Sequence, residues 1–506
     1  MFYLLCIIAT YLGFGNPFLQ IGFLVILYPI LFVHISNESN KLKDSIKTSW
    51  FTGAIVYSLC LYWVAYPVYT FSNVPILIAL ACPILLGLYL GIYSGIFGGI
   101  LFFIKTSNWF IKGLIAGLSW SSLEYIRAYF LTGFPWLNIT QALSHYTKFI
   151  QPIKIMGETL FAGIIIVVAV WLYELKNRKI IPPIVAILTI LLIYLWGFFL
   201  YNKNIVPTKK IKCIIVQANI NQYEKWDKKY QEGTLKKYIE LTNKALGTSN
   251  DKNTLVIWPE TAMPFYIQER NYLSYKLLNY TRQKKIILIT GAPAYKIDRV
   301  KVRWYNRAYL IYNGKIVDYY DKVHLVPFGE YIPFGNVFGF LGKIVEGPGD
   351  FSRGKDLKPL KFKDLAIGTL ICYEIIFPDL VSKLDINNAH IIVNISNDAW
   401  FGNSSGPYQH LNQAVLKAIE TDKFIIRATN SGISAIISPR GEIVKKLPLN
   451  KEGFLKGKVS LFQGHTFYVK YHSLFKVLTI LLCVISLTIK LKKCGSKDGR
   501  KTNTTS

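Results

Sequence analysis

Charged residues are scarce in this 506-residue chain, at 17%, where soluble domains usually carry roughly 25%. Acidic residues are the scarcest, 29 Asp and Glu against 58 Lys and Arg, for a net charge of +29. With 52% hydrophobic residues and a mean hydropathy of +0.31, this excludes an ordinary water-soluble chain. Metal-binding spacing is missing as well. The seven cysteines (Cys6, Cys60, Cys82, Cys213, Cys372, Cys483 and Cys494) form no CxxC and no Cys/His cluster, so neither a zinc site nor a disulfide framework is expected. A nucleic-acid partner also finds no support. Residues 206–472 carry 39 Lys and Arg against 23 Asp and Glu, a balance of 39 − 23 = +16, but the lysines are scattered and no compact basic stretch interleaves with aromatics.

What is present is apolar sequence in two places, before residue 202 and again near 474–489, with a stretch of ordinary soluble composition between. A bilayer core needs about 20 apolar residues in a helix. Candidate spans are 2–15, 17–35, 50–70, 76–104, 112–130, 155–175, 181–201 and 473–490, eight helices in all. The first lacks the basic start and small-residue cleavage site of a signal peptide, so it is read as a span. The expected layout is an N-terminal membrane domain over 1–204, a catalytic domain over 205–472, a last span over 473–490 and a tail over 491–506.

Loop charge sets an expected orientation. With the N-terminus inside, the inside segments carry Lys41, Lys43, Lys47, Lys105, Lys112, Lys176, Arg178, Lys179, Lys490, Lys492 and Lys493. The outside loops 71–75 and 131–153 carry only Lys148. This positive-inside bias puts 205–472 outside the cytoplasmic membrane, with both termini inside. Loop 131–153 contains TGFPWLNITQ, which reads equally as an interfacial anchor or as a lid beside the soluble domain.

Within 205–472, strand-like runs alternate with helical ones. Strands are expected at 212–220, 254–260, 285–292, 364–374 and 390–400, and helices at 229–246, 268–283 and 408–421. Asn313-Gly314 marks a hairpin within 307–322, and 423–444 closes with another. The pattern predicts an α/β layered domain beside a multi-pass α-helical membrane domain. In such folds, polar groups at the carboxyl ends of strands converge on one crevice.

Three strand ends carry chemistry: Glu260, Lys322 and Cys372. Singly, each has a bland explanation: a helix cap, one more lysine, a packed thiol. Together they form a chemical set. A carboxylate can take the proton of a thiol, and an ammonium stabilises both thiolate and oxyanion.

The surrounding words sharpen this. VIWPETAMP around Glu260, YDKVHLVPFGEYIP around Lys322 and LICYEIIFPDL around Cys372 resemble the nitrilase superfamily of carbon–nitrogen hydrolases, with NISNDAWFG (394–402) and RATNSGIS (427–434) in agreement. LVPFGEY and NDAWFG, with many preceding spans and one following, look like its apolipoprotein N-acyltransferase branch. That resemblance implies an α-β-β-α nitrilase-like fold and a Glu-Lys-Cys triad. Cys372 would be the nucleophile, Glu260 the base and then acid, and Lys322 the oxyanion holder. It implies a phospholipid acyl donor, a cysteine thioester, a diacylglyceryl apolipoprotein acceptor and no metal or cofactor. Trp226, Asn306, Glu330, Tyr373 and Glu374 match supporting positions, although Trp226 also reads as an interface anchor and Glu374 as a surface residue. His324 and His410 are read as structural. Two other functions compete. One is a membrane-tethered amidase or nitrilase. The other is a transporter with an inert outer domain, disfavoured because intramembrane charges are few, among them Glu124, Arg127 and Glu158.

Overall fold

The structure is a computed structural model that describes every residue except 73, 249–252, 270, 299–300, 333–350 and 502–506. Pro333, which ends the motif around Lys322, and the end of the expected tail therefore lie outside the described residues. Two compact units emerge. One comprises Met1–Tyr62, Leu80–Asn202 and Tyr471–Ser506; the other comprises Trp63–Ala79 and Lys203–Lys470.

The first unit is helical and apolar, and it marks a membrane protein. Among the described residues, four helices are long and apolar enough to cross a bilayer: Ile76–Ile104, the run Ile153–Asn177, Ile181–Asn202 and Phe467–Lys492. A fifth is added if the bent pair Leu42–Cys60 and Tyr62–Phe71 counts as one span. The span expected over 50–70 falls on that pair, which bends by 59°. Pro67 falls in the first turn of Ala65–Phe71, where an N–H has no earlier carbonyl of that helix to bond, so its missing donor costs little there. The stretch expected as 17–35 starts late, at Gly22, because the Asn16 side chain accepts from the N–H groups of Phe18 and Leu19 and turns the chain there.

Small residues let these helices approach closely. A Cβ on Gly91 would come 2.7 Å from the Trp50 carbonyl oxygen, the close backbone contact that drives helix association in lipid. The buried charges pair with one another. Arg127 Nη2 donates to Glu124 at 2.6 Å, Arg127 Nη1 to the Tyr57 hydroxyl at 2.9 Å, and Asn138 Nδ2 to Glu124 at 3.0 Å. These bonds tie the helix carrying Glu124 and Arg127 to Tyr57 and Asn138.

The second unit holds two six-stranded sheets among the described residues. The first runs β12-β1-β2-β3-β4-β5: β1 Lys209–Gln217, β2 Leu255–Ile257, β3 Ile287–Asp298, β4 Lys301–Tyr312, β5 Lys315–Asp321 and β12 Gly453–Leu461. The second runs β11-β10-β9-β8-β7-β6: β6 Leu360–Phe362, β7 Leu365–Ile371, β8 Ile391–Ser396, β9 Ile425–Thr429, β10 Ser434–Ile437 and β11 Ile443–Leu447. Each sheet has three central parallel strands, β1-β2-β3 and β7-β8-β9, flanked by antiparallel ones.

The sheets meet face to face. Gln217 on β1 accepts from Ser434 on β10 at 2.6 Å and from Thr429 on β9 at 3.2 Å. Helix Lys228–Leu246, capped by Asp227, buries Leu235, Tyr238, Leu241 and Ala245 at helical spacing against the outer face of the first sheet, with Val216, Val256 and Trp258 beneath them. Helix Tyr272–Lys284 joins the same core through Leu277 and Tyr280. Pro378–Ile386 and Gly406–Thr421 cover the second sheet. The result is the expected α-β-β-α sandwich. The hairpin expected over 307–322 is present, with Asn313 and Gly314 at φ 49° and 75°, the positive pair a type I′ turn requires. The 423–444 segment is longer than a hairpin: β9, β10 and β11 form a three-stranded meander.

Candidate active site

Glu260, Lys322 and Cys372 each follow the carboxyl end of a strand: β2, β5 and β7. All three are buried, at 6%, 1% and 9% exposure. The sandwich brings them together although they are spread over more than a hundred residues of sequence. Lys322 Nζ lies 3.7 Å from Glu260 Oε1 and 2.9 Å from Glu330 Oε2. Asn306, on β4, donates from one amide nitrogen to Glu260 Oε1 at 2.7 Å and to Glu330 Oε1 at 2.9 Å. The second oxygen of Glu260 accepts the Asn397 N–H at 2.9 Å, and that of Glu330 accepts the Val326 N–H at 2.8 Å. One ammonium thus sits between two carboxylates whose orientations are fixed by an amide and two backbone donors.

Cys372 begins a short 3-10 turn, Cys372–Ile376, and has φ +53°. A non-glycine residue in the left-handed region is held there by its surroundings. Its carbonyl accepts from Asn394 Nδ2 at 3.2 Å and contacts His410 Nε2 at 3.3 Å. Burial, followed by the nearby Glu260 carboxylate, pushes the Cys372 thiol well above its ordinary range; Lys322 pulls it back only in part. For Lys322, burial works against the ammonium, but Glu330 and then Glu260 outweigh it and hold the group protonated well above its ordinary range. The resting site is therefore a thiol beside a carboxylate–ammonium pair. Such a thiol becomes a nucleophile only as its proton leaves.

Glu374 is not the surface residue that its sequence allows. It is fully buried, and it accepts four hydrogen bonds: from the Tyr320 hydroxyl (2.9 Å), Val323 N (2.8 Å), His324 N (3.0 Å) and Ile371 N (2.9 Å). The carboxylate ties the segment carrying Lys322 to the turn carrying Cys372. Burial lifts it to about 7, against Lys322 and its donors. Tyr373 packs its ring 5.0 Å from Phe377 and 5.9 Å from His324. Trp226 is half-buried on the turn ahead of helix Lys228–Leu246 and is not among the groups hydrogen-bonded around Glu260.

A second buried group supports the Cys372 turn, and sequence reasoning gave its members no role apart from the structural one for His410. Arg427 Nη2 donates to Asp398 Oδ2 at 2.6 Å and lies 2.9 Å from His410 Nδ1, while Arg427 Nη1 donates to Asn394 Oδ1. Ser396 donates to Asp398 at 2.6 Å. Burial and Arg427 hold His410 below its ordinary value. His410 Nδ1 also lies 3.1 Å from Asp398 Oδ1, so this edge of the ring meets both the carboxylate and the guanidinium while Nε2 meets the Cys372 carbonyl. The signal was present in NISNDAWFG and RATNSGIS, where Asn394, Asp398 and Arg427 sit in or beside otherwise apolar strands.

The carbon-nitrogen hydrolase family model matches residues 215–463, and the apolipoprotein N-acyltransferase N-terminal domain model matches residues 8–171. The apolipoprotein N-acyltransferase of Geobacter metallireducens is 32% identical over 86% of this chain and 84% of its own. That of Wigglesworthia glossinidia brevipalpis is 33% identical over 90% and 92%, and that of Rickettsia prowazekii 36% over 71% and 72%. Among solved structures, a Saccharomyces cerevisiae member of branch 10 of the nitrilase superfamily is similar over 54% of this chain and 97% of its own, at 19% identity and TM-score 0.39.

Proposed function

The chain belongs to the apolipoprotein N-acyltransferase family, and from that premise we propose that it moves an acyl chain from a membrane phospholipid, through a thioester on Cys372, to the N-terminal amine of a diacylglyceryl-cysteine apolipoprotein. The observation that carries this reading is the meeting of three strand ends, with Lys322 3.7 Å from Glu260 and Cys372 on a left-handed turn close enough for both charges to act on its thiol. As the sulfur attacks the sn-1 ester carbonyl, its proton passes to Glu260, and the developing oxyanion is stabilised by the Lys322 ammonium. Collapse breaks the ester C–O bond. Glu260 returns the proton to the departing oxygen, a lysophospholipid leaves and the thioester remains. The acceptor amine then attacks the thioester. Glu260 takes the amine proton and returns a proton to the Cys372 sulfur as it departs. Glu330 and Asn306 keep Lys322 and Glu260 in place. No step calls for a metal or cofactor. Cytoplasmic-membrane residence with residues 205–472 on the outer side belongs to the same proposal, because that is the side on which a lipidated acceptor is presented.

The test supplies purified enzyme with phospholipid labelled in its sn-1 chain and withholds acceptor. Label should remain with the wild-type protein, be released by neutral hydroxylamine, and be absent from Cys372→Ser, whose hydroxyl a carboxylate base deprotonates far less readily than a thiol. Cys213→Ser, a change in the buried strand β1, should keep the label. Label persisting on Cys372→Ser would assign another nucleophile. A wild type that releases only free fatty acid, or ammonia from a small amide, would favour a membrane-tethered carbon–nitrogen hydrolase.

A further inference from the structure

Lys225 belongs to none of the groups described so far, yet its side chain is 2% exposed and aimed at the Glu260 turn. Its Nζ donates to the Thr261 hydroxyl and lies 3.4 Å from the Glu260 backbone carbonyl oxygen. Burying an ammonium is costly unless something specific receives it. Here burial pulls Lys225 down to about 7, with Glu260 pulling the other way.

The peptide it grips needs holding. Thr261 has φ +46°, a conformation that a β-branched residue seldom adopts and that persists only where neighbours impose it. The backbone of β3 also packs close against this turn. A Cβ on Gly291 would come 2.4 Å from Thr261 N and 2.7 Å from Glu260 Cα, while Gly291 N donates to the Pro259 carbonyl at 3.1 Å. The Glu260–Thr261 turn is therefore contacted by both the Gly291 backbone and the Lys225 ammonium.

We propose that Lys225 is a positioning residue for the acyl-transfer reaction, its ammonium fixing the left-handed Glu260–Thr261 turn so that the Glu260 carboxylate stays aimed at Asn306, the Asn397 N–H and the Cys372 thiol. Lys225 touches no reacting atom and acts through Glu260, so the inference rests on the reading of Glu260 as the base. Its loss lets the turn relax and the carboxylate drift. A misplacement of about 1 Å in a reacting group is enough to cost roughly a hundredfold in rate. The phospholipid itself is not held by this turn, so saturation should be unaffected.

The experiment measures single-turnover acylation of the full chain in mixed micelles, with sn-1-labelled phospholipid and rates taken per thioester-competent site from the burst amplitude. Lys225→Met and Thr261→Val should each slow acylation about tenfold to a hundredfold, with half-saturating phospholipid within about twofold of wild type. Thr261→Ser, which keeps the hydroxyl, should retain the wild-type rate. The double variant Lys225→Met/Thr261→Val should be no slower than the slower single, because both remove the same contact. Lys236→Met, on an exposed side chain, is the control. Wild-type kinetics in Lys225→Met, or a loss confined to phospholipid saturation, overturn the assignment, as does a double variant in which the two losses multiply. Should Lys225→Met fail to fold, Thr261→Val against Thr261→Ser decides alone, and equal rates in those two overturn it. A wild type that forms no thioester sinks the acyl-transfer reading and this assignment together, whereas a wild-type thioester with unchanged variant kinetics sinks this assignment alone.

Discussion

Replacing Asp398 by Asn keeps the side chain's shape and removes the charge that Arg427 is buried against. Asp398, Arg427 and His410 are between 0% and 1% exposed, so water cannot take over the role of the lost partner. Breaking a buried ion pair from one side costs about 3–5 kcal/mol, because the remaining charge is stranded. In a domain of this size 1 kcal/mol moves Tm by about 2–4 °C, so Asp398→Asn should lower the melting temperature of the catalytic domain by roughly 6–20 °C. Removing both charges is a different perturbation. Neutral replacement of a whole buried pair is often close to neutral in stability, so Asp398→Asn/Arg427→Met should recover much of the loss. The assay is tryptophan-fluorescence melting in detergent. The pH dependence has a definite sign. Burial alone would raise Asp398, but Arg427 and His410 hold it far below its ordinary 3.8. Its stabilisation is therefore present above about 3.8 and lost as pH falls through the lower folded value. His410, held below 6.5, works in the same direction, since the folded state resists its protonation. Glu374, raised from 4.5 to about 7, works in the opposite direction: its stabilisation is present below 4.5 and lost as pH rises through about 7. The informative quantity is thus the gap between wild type and Asp398→Asn, full at pH 7 and narrowing below pH 4. A double variant as unstable as the sum of the two singles, or a gap that stays constant down to pH 3, would refute the ion-pair argument.

Two further predictions concern the mechanism and the topology. On the proposed mechanism, Glu260→Gln would leave the Cys372 thiol without an acceptor for its proton and Lys322→Ala would remove the oxyanion contact; each should cut thioester formation about a hundredfold to a thousandfold, measured as label retained without acceptor, and near-wild-type acylation in either removes that residue from the mechanism. Single cysteines introduced at Lys43 and Lys176 should be protected from an impermeant thiol reagent in intact cells while one at the exposed Lys236 is labelled; the reverse pattern would end the lipoprotein reading.

The parts of this fold that were legible in the sequence are those decided by neighbours in the chain. Asn313-Gly314 specifies its turn through two residues, and helix Lys228–Leu246 declares its buried face by spacing alone. β12 was missed although Leu455, Val459 and Leu461 point inward with period two, because Gly453 and Gly457 dilute the pattern and its partner β1 lies more than 200 residues away. The site divides in the same way. Glu260, Lys322 and Cys372 are visible as reactive types at strand ends, whereas the groups that hold them acquire their roles through distant partners. Glu374 is joined to Val323 and His324 by contacts spanning about fifty residues, and Lys225 to Thr261 by one spanning 36; either residue, taken in its local stretch, reads as a charge facing water. Arg427 shows that part of this hidden layer can be inferred beforehand. It sits in β9, Ile425-Ile426-Arg427-Ala428-Thr429, where every position is buried. A guanidinium cannot be neutralised to suit its surroundings, so a charge in the middle of such a strand demands a buried acceptor. The carboxylate of NDAWFG, Asp398, supplies it. A lone arginine in an apolar strand is thus a prediction of an acid across the sheet, and in this chain that acid shares its His410 contact with the carbonyl of Cys372.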